Sequence, residues 1–296
     1  MESGEMEGLN WRDELIDRLA ECPRCGYAAT DIVASEPSTL AALALAGEGR
    51  FESCDQVAQW LERVQTADGS VGVRENERVP CWPTSLAVMV WTALRETEFD
   101  KYANPVARGT DWILHARGVT MPRDNEPGHD PSLEAWPWVD GTHAWVEPTA
   151  LHILALRAAG LHHHQRTRDA VRMLADRQLP QGGFNYGNTI VLGGVLRPHL
   201  QPTGLAVLAL ASEPHDRVRL SNSLTYLERN ISAQTGTTSL CWSLMALAAH
   251  GRTPREVDTW LESAYERTLL RDRSPLKLAL ILLASQRDKS FFVKYS

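Results

Sequence analysis

Six stretches of the chain are apolar almost without interruption. They are LAALALAG from Leu40, LAVMVWTAL from Leu86, ALHILALRAAG from Ala150, GLAVLALAS from Gly204, LCWSLMALAAHG from Leu240 and LKLALILLAS from Leu276. Each follows a short cluster of Pro, Ser or Thr: Glu36-Pro37-Ser38-Thr39, Trp82-Pro83-Thr84-Ser85, Glu147-Pro148-Thr149, Gln201-Pro202-Thr203, Thr237-Thr238-Ser239 and Ser274-Pro275. Proline suits a first helical turn because its missing N–H has no intrahelical partner there, and Ser or Thr hydroxyls are expected to cap the neighbouring free amides. Gly47, Gly160 and Gly251 follow three of the runs as expected C-terminal stops. A helix that is apolar on all sides is buried on all sides. These segments are therefore expected to be inner helices.

Between them lies a second type, charged on one face and apolar on the other. It covers Trp11–Ala20, Cys54–Thr66 around Trp60, Pro105–Arg117 around Trp112, Thr167–Gln178 around Met173, Val218–Ile231 around Tyr226 and Arg255–Leu270 around Trp260. Such helices pack an apolar stripe inward and a charged face outward. Strict alternation of the two types predicts an all-α chain of about six outer–inner hairpins closed into an α6/α6 toroid, because each pair leaves a face that only its neighbours can bury. An open solenoid is the rival, disfavoured because both terminal inner segments are as apolar as the middle ones and lack a polar capping face. The reading is one domain over residues 1–296, with a short polar tail at 1–10.

The connections Gln65-Thr66-Ala67-Asp68-Gly69-Ser70-Val71-Gly72 and Gln178-Leu179-Pro180-Gln181-Gly182-Gly183-Phe184, together with Trp60 on the preceding outer helix, resemble the QW-type repeat of squalene–hopene cyclases and the related repeat of protein prenyltransferase β-subunits. The resemblance spans roughly Trp11 to Ser285. Glutamine there is expected to bridge backbone groups of adjacent repeats and glycine to permit a tight turn. It implies the toroid and an apolar, isoprenoid-type ligand on its axis. The family's catalytic signatures are altered. Where terpenoid cyclases carry an Asp-x-Asp-Asp-Thr acid, the helix starts here read Ser35-Glu36-Pro37-Ser38-Thr39 and Trp145-Val146-Glu147-Pro148-Thr149. Cys241-Trp242-Ser243 is similar to the zinc-binding Cys-Tyr-Ser of prenyltransferases, but Ser239 replaces the aspartate and no histidine follows in Ser274–Ser285.

Composition narrows the function further. Lys and Arg number 30 against 37 Asp and Glu, a formal charge of -7, and no segment concentrates basic residues, so a nucleic-acid partner and a diphosphate cradle are not expected. No segment has the length and apolarity of a transmembrane helix and none resembles a leader, from which a cytoplasmic location is expected. The five cysteines, Cys22, Cys25, Cys54, Cys81 and Cys241, are odd in number and dispersed, which fits reduced thiols. Cys22-Pro23-Arg24-Cys25 is half of a zinc ribbon without its second half, and His162-His163-His164 follows a helix end where imidazoles meet free carbonyls, so no metal and no cofactor is assigned.

The most unusual local composition is Glu134 to Glu147, which holds Trp136, Trp138 and Trp145 with Asp140, His143 and Glu147. Loops before inner helices surround one mouth of a helical ring, where aromatic faces can hold an apolar chain or stabilise a cation. Glu147, Asp140 and His143 are the candidate catalytic groups, and Trp136, Trp138, Trp145, Trp82, Trp242 and Glu36 the candidate ligand-binding ones. A desolvated Glu147 would be a neutral acid able to donate a proton. Against this stands the reading of Glu147 and Glu36 as helix-dipole carboxylates, and of the tryptophans as a lid. The function expected is a squalene/terpenoid-cyclase-like toroid performing acid-initiated cyclisation or isomerisation. The alternatives are a noncatalytic ligand- or protein-binding toroid module and a divergent prenyltransferase, with any protein partner unknown.

Overall fold

A computed structural model describes residues 10–95, 101–123, 128–213 and 217–296; most of the expected polar tail, residues 1–9, lies outside these. The chain is mostly helical. The buried, evenly apolar helices are α2 (Ser35–Gly47), α4 (Thr84–Arg95), α6 (Val146–Ala158), α8 (Leu200–Ala209), α10 (Thr237–Ala249) and α12 (Pro275–Ser285). The amphipathic ones are α1 (Trp11–Glu21), α3 (Phe51–Val64), α5 (Ala103–His115), α7 (Gln165–Asp176), α9 (Arg217–Asn230) and α11 (Val257–Arg271). These match the two sequence patterns within a few residues. Two elements had no sequence signal: a small hairpin, β1 (Ile190–Val191) with β2 (Gly194–Val195), and a C-terminal turn, α13 (Phe291–Lys294).

Inner helices pack in chain order, α2 on α4, α4 on α6, α6 on α8, α8 on α10 and α10 on α12, and α12 packs back on α2. Outer helices lie against the inner ones, with α3 on α2 and α4, α5 on α4, α7 on α6, α9 on α8 and α10, α11 on α10 and α12, and α1 on α12 and α2. The two ends of the chain are also joined by polar contacts. Gln286 Nε2 donates to the Ala44 carbonyl at 2.7 Å and to Glu48 at 2.8 Å, Arg12 reaches Glu48 at 2.5 Å, and Ser274 Oγ donates to the Tyr27 carbonyl at 2.7 Å. No helix of the described residues is long and apolar enough to cross a membrane.

The hydroxyls at inner-helix starts do something other than capping. One hydroxyl at the start of each of α2, α4, α6 and α8 instead clamps one residue of the connection that precedes it. Ser38 Oγ takes the Cys25 amide at 2.9 Å and returns a bond to the Cys25 carbonyl at 3.0 Å. Thr84 treats Val71 in the same way, Thr149 treats Trp136, and Thr203 treats Phe184. The reason is that the connection runs across the helix start and brings a buried amide and carbonyl that need partners.

The glutamine bridges form as expected. Gln65 Nε2 donates to the Gly69 carbonyl at 3.0 Å and to the Pro105 carbonyl of the next outer helix at 3.1 Å. Gln178 Nε2 donates to the Arg219 carbonyl and Ser223 Oγ, each at 2.6 Å. Gly69 and Gly182, at φ 92 and 93°, lie against the next outer helix so closely that a Cβ would meet Arg108 O at 2.2 Å or Asn222 backbone at 2.8 Å. Among the expected stops, Gly160 and Gly251 do adopt positive φ, whereas Gly47 stays helical and Gly49 takes that role. At Gly47 the constraint is space, since a Cβ there would meet the Gln286 side chain at 2.6 Å.

Candidate functional site

Because the chain alternates outer and inner helices, the inner helices run in one sense and their N-termini gather at one end. Glu36 and Glu147 occupy the second position of α2 and α6 there. Glu147 is 6% exposed, and its Oε1 is buried with no hydrogen-bond partner. Burial pushes its carboxyl up to about 7, opposed by a hydrogen bond from Gln201 and reinforced by the charge of Glu36. Burial pushes Glu36 up to about 7 as well, opposed by a hydrogen bond with Tyr27. Two carboxyls at the starts of separate inner helices are thus both held near neutrality, chiefly by burial.

The tryptophans divide. Trp82 and Trp138 meet edge to face, ring centroids 4.7 Å apart, beside the start of α4. Trp145 is the residue before α6 and packs beside Gly187, whose added Cβ would meet its ring at 3.2 Å. Trp136 goes elsewhere. Its Nε1 donates to the Ile113 carbonyl at 2.9 Å, its ring stacks on His152 at 4.9 Å, and the buried Arg166 guanidinium covers it at 4.0 Å. Arg166 also donates to the carbonyls of Ala116, Glu134 and Ala135, so this tryptophan fastens the loop between α5 and α6. Trp242 packs edge to face on Phe292, 4.9 Å between centroids. Asp140 is exposed in a turn closed by Thr142 on Val139. His143 is exposed too, its Nδ1 3.3 Å from the Val119 carbonyl. The structure therefore separates the buried Glu147 from Asp140 and His143, both of which are exposed.

Two cavities border these groups. One, of about 390 Å³, lies among the starts of α8, α10 and α12 and the end of α11; Gln201, the partner of Glu147, is in its wall with Arg267, Arg271 and Lys277. Sequence reasoning missed this cationic cluster because its members come from two helices and never form a run. The other, of about 970 Å³, lies between the α5–α6 loop and the hairpin and is walled by Val119, Met121, Leu133, Ile190 and Leu192 with His129 and His143.

His152 is a buried group without a sequence signal. Burial drives it down to about 3, its Nδ1 sits 2.7 Å from the Pro148 carbonyl, and its Nε2 has no partner. It is a neutral ring at physiological pH. All five cysteines are free thiols, with Cys25 and Cys54 pushed up to about 12 by burial. Among the described residues no group of three or more His, Cys, Asp or Glu side chains is placed to hold a metal ion. Of the histidine run, His164 caps the start of α7, accepting from the Arg166 amide at 3.1 Å, while the His162 and His163 rings meet at a tilt, 3.9 Å between centroids. No protein-family model and no curated protein matches this chain.

Proposed function

We propose that the chain is an α6/α6 toroid of terpenoid-cyclase type that binds an apolar, isoprenoid-type ligand at the inner-helix N-terminal mouth and protonates it, with Glu147 as the acid. One observation carries this reading: two carboxyls at equivalent steps of separate inner helices, both raised to about 7, one with a bare buried oxygen. A dipole-capping carboxylate would be stabilised in its charged form and lowered instead. The cycle of packing from α2 through α12 and back supports the toroid. Trp82, Trp138 and Trp145 offer aromatic faces at the same end of the helices, suited to an apolar chain and to positive charge developing on it. Glu36 raises the proton affinity of Glu147 by its charge, and Gln201 orients the carboxyl. The five free thiols support a reducing, cytoplasmic setting. The divergent-prenyltransferase alternative has less support, since among the described residues the buried Cys241 belongs to no group of three or more His, Cys, Asp or Glu side chains placed for a metal.

The test is product analysis after incubation with squalene and shorter polyprenyl substrates. Wild type is expected to form cyclised or isomerised products, with a rate that falls as pH rises through about 7, and Glu147→Gln to lose about a hundredfold or more. Equal depletion by the two proteins removes Glu147 from the role.

A second reading, a noncatalytic binding module, is favoured by a different observation. Val119, Met121, Val191 and Leu192 are exposed around the larger cavity, an apolar surface away from the carboxyls. Substrate recovered unchanged by wild type, with retained ligand binding, supports that reading.

A further inference from the structure

The segment from Gln286 to Ser296 is not used by the acid at the other end of the inner helices. Where α12 ends, the chain turns back through Arg287, a non-glycine residue at φ 54°, and a 3-10 turn over Arg287–Lys289 into α13. α13 packs on α10 and on α2, the inner helices on either side of α12. The depth it reaches is set by Phe292, which is fully buried and meets the Trp242 ring edge to face at 4.9 Å. Trp242 is the sixth of the thirteen residues of α10, which places it about 10 Å from the C-terminal end of that helix at about 1.5 Å per residue. Ser290 Oγ lies 3.6 Å from the sulfur of Met245, further along the same helix. The tail therefore reaches in among the inner helices rather than lying across their ends. Phe291 is buried as well, with Tyr295 against it at 4.7 Å. The amides of Ser290, Lys294, Tyr295 and Ser296 all donate to carbonyls inside the segment, those of Arg287, Ser290, Phe291 and Val293. These backbone bonds travel with the tail, and its two phenylalanines give the inner helices apolar contact, which has no fixed direction and can be replaced by another apolar body. The base of the segment is tied down by polar contacts: Arg287 holds Asp258 at 2.6 and 2.8 Å, and Gln286 holds the Ala44 carbonyl and Glu48.

We propose that α13 is a displaceable plug: Phe291 and Phe292 fill, from the C-terminal end, apolar space among the inner helices that a long apolar chain would otherwise take, so that ligand and tail compete for it. The hinge is Arg287, whose left-handed backbone is disfavoured for a residue with a side chain and is relieved when the tail swings outward. Gln286 stays anchored at the junction of α12 with α2 while this happens. A ligand that must first expel the tail binds more weakly than the emptied site would allow, by the fraction of molecules in which the tail is out. The plug rests on the apolar-ligand reading above and not on Glu147 being an acid.

Farnesol is the probe, and two measurements test the competition. In the whole protein, followed by hydrogen exchange, bound farnesol is expected to speed exchange of the Lys294, Tyr295 and Ser296 amides and to leave the α4 and α6 amides as slow as before. A chain ending at Lys289 is expected to bind farnesol at least about tenfold more tightly than wild type, and a peptide spanning Arg287–Ser296 to reverse that gain, whereas the same peptide carrying Phe291→Ser and Phe292→Ser does not. Glu147→Gln is expected to bind farnesol as wild type does. Where the shortened chain does not fold, the exchange measurement on the whole protein decides. Farnesol bound by wild type with the tail amides unchanged, or a folded shortened chain with wild-type affinity, overturns the plug and leaves the ligand reading standing. Failure of both the whole protein and a folded shortened chain to bind farnesol overturns the ligand reading, and the plug with it.

Discussion

At the second residue of a helix a carboxyl ordinarily gains from the dipole, which favours the charged form. At Glu147 desolvation outweighs that gain, because the side chain is enclosed and only one of its oxygens is partnered. The sign of the consequence follows from linkage. A carboxyl with an unfolded value near 4.5 and a folded value of about 7 binds more protons when folded, so its contribution is intact below 4.5 and stability is lost as pH rises toward 7. Glu147→Gln keeps the shape without the charge. Its melting temperature is therefore expected to exceed that of wild type at pH 8 and to match it at pH 4.5, and thermal melts across that range read the crossover. A variant that melts below wild type at pH 8 would mean that the charged carboxylate is stabilised in the fold. Desolvation, the cause expected from the sequence, is the largest, and the charge of Glu36, far off in sequence, adds to it.

At the scale of elements, the inner helices were legible because an all-round apolar run has one stable fate, and the outer helices because their apolar positions recur at helical spacing. What the hydroxyls at inner-helix starts would bind was not legible. Capping is a local rule, and here it lost to a connection whose buried amide needed an acceptor. Thr149 shows the stake. Removing its hydroxyl while keeping its shape leaves the Trp136 amide unpaired inside the protein, while the Trp136 carbonyl keeps the Trp145 amide. Thr149→Val is expected to cost about 2 kcal/mol in a urea melt, against a few tenths for an exposed threonine such as Thr142. Equal costs at the two sites would mean that the clamp contributes nothing. Gln65 and Gln178 were better served by sequence, because a glutamine at the end of an outer helix beside a glycine turn has little to reach except the next repeat.

At the scale of the molecule, the C-terminal segment alters what the helices enclose. The turn α13 packs on both α10 and α2, which flank α12 rather than each other, so it folds back under the inner helices. Phe292 is fully buried there against Trp242, which removes Trp242 from any ligand site at the opposite end. Phe292→Ala is expected to destabilise by about 3–5 kcal/mol, the range for emptying an aromatic site, with Phe291→Ala smaller because that ring retains some exposure. A Phe292→Ala cost below that of Phe291→Ala would place α13 on the surface. By itself the sequence determined the helical class, the alternation of buried and amphipathic helices and the glutamine–glycine junctions, because these depend on periodicity and on short-range geometry. Tertiary structure alone decided that Trp136 leaves the site for Arg166 and His152, that Phe292 buries Trp242, and that Arg267, Arg271 and Lys277 share one cavity. Each of those is a meeting of side chains separated by whole helices, and no local pattern encodes which distant surface a residue will find.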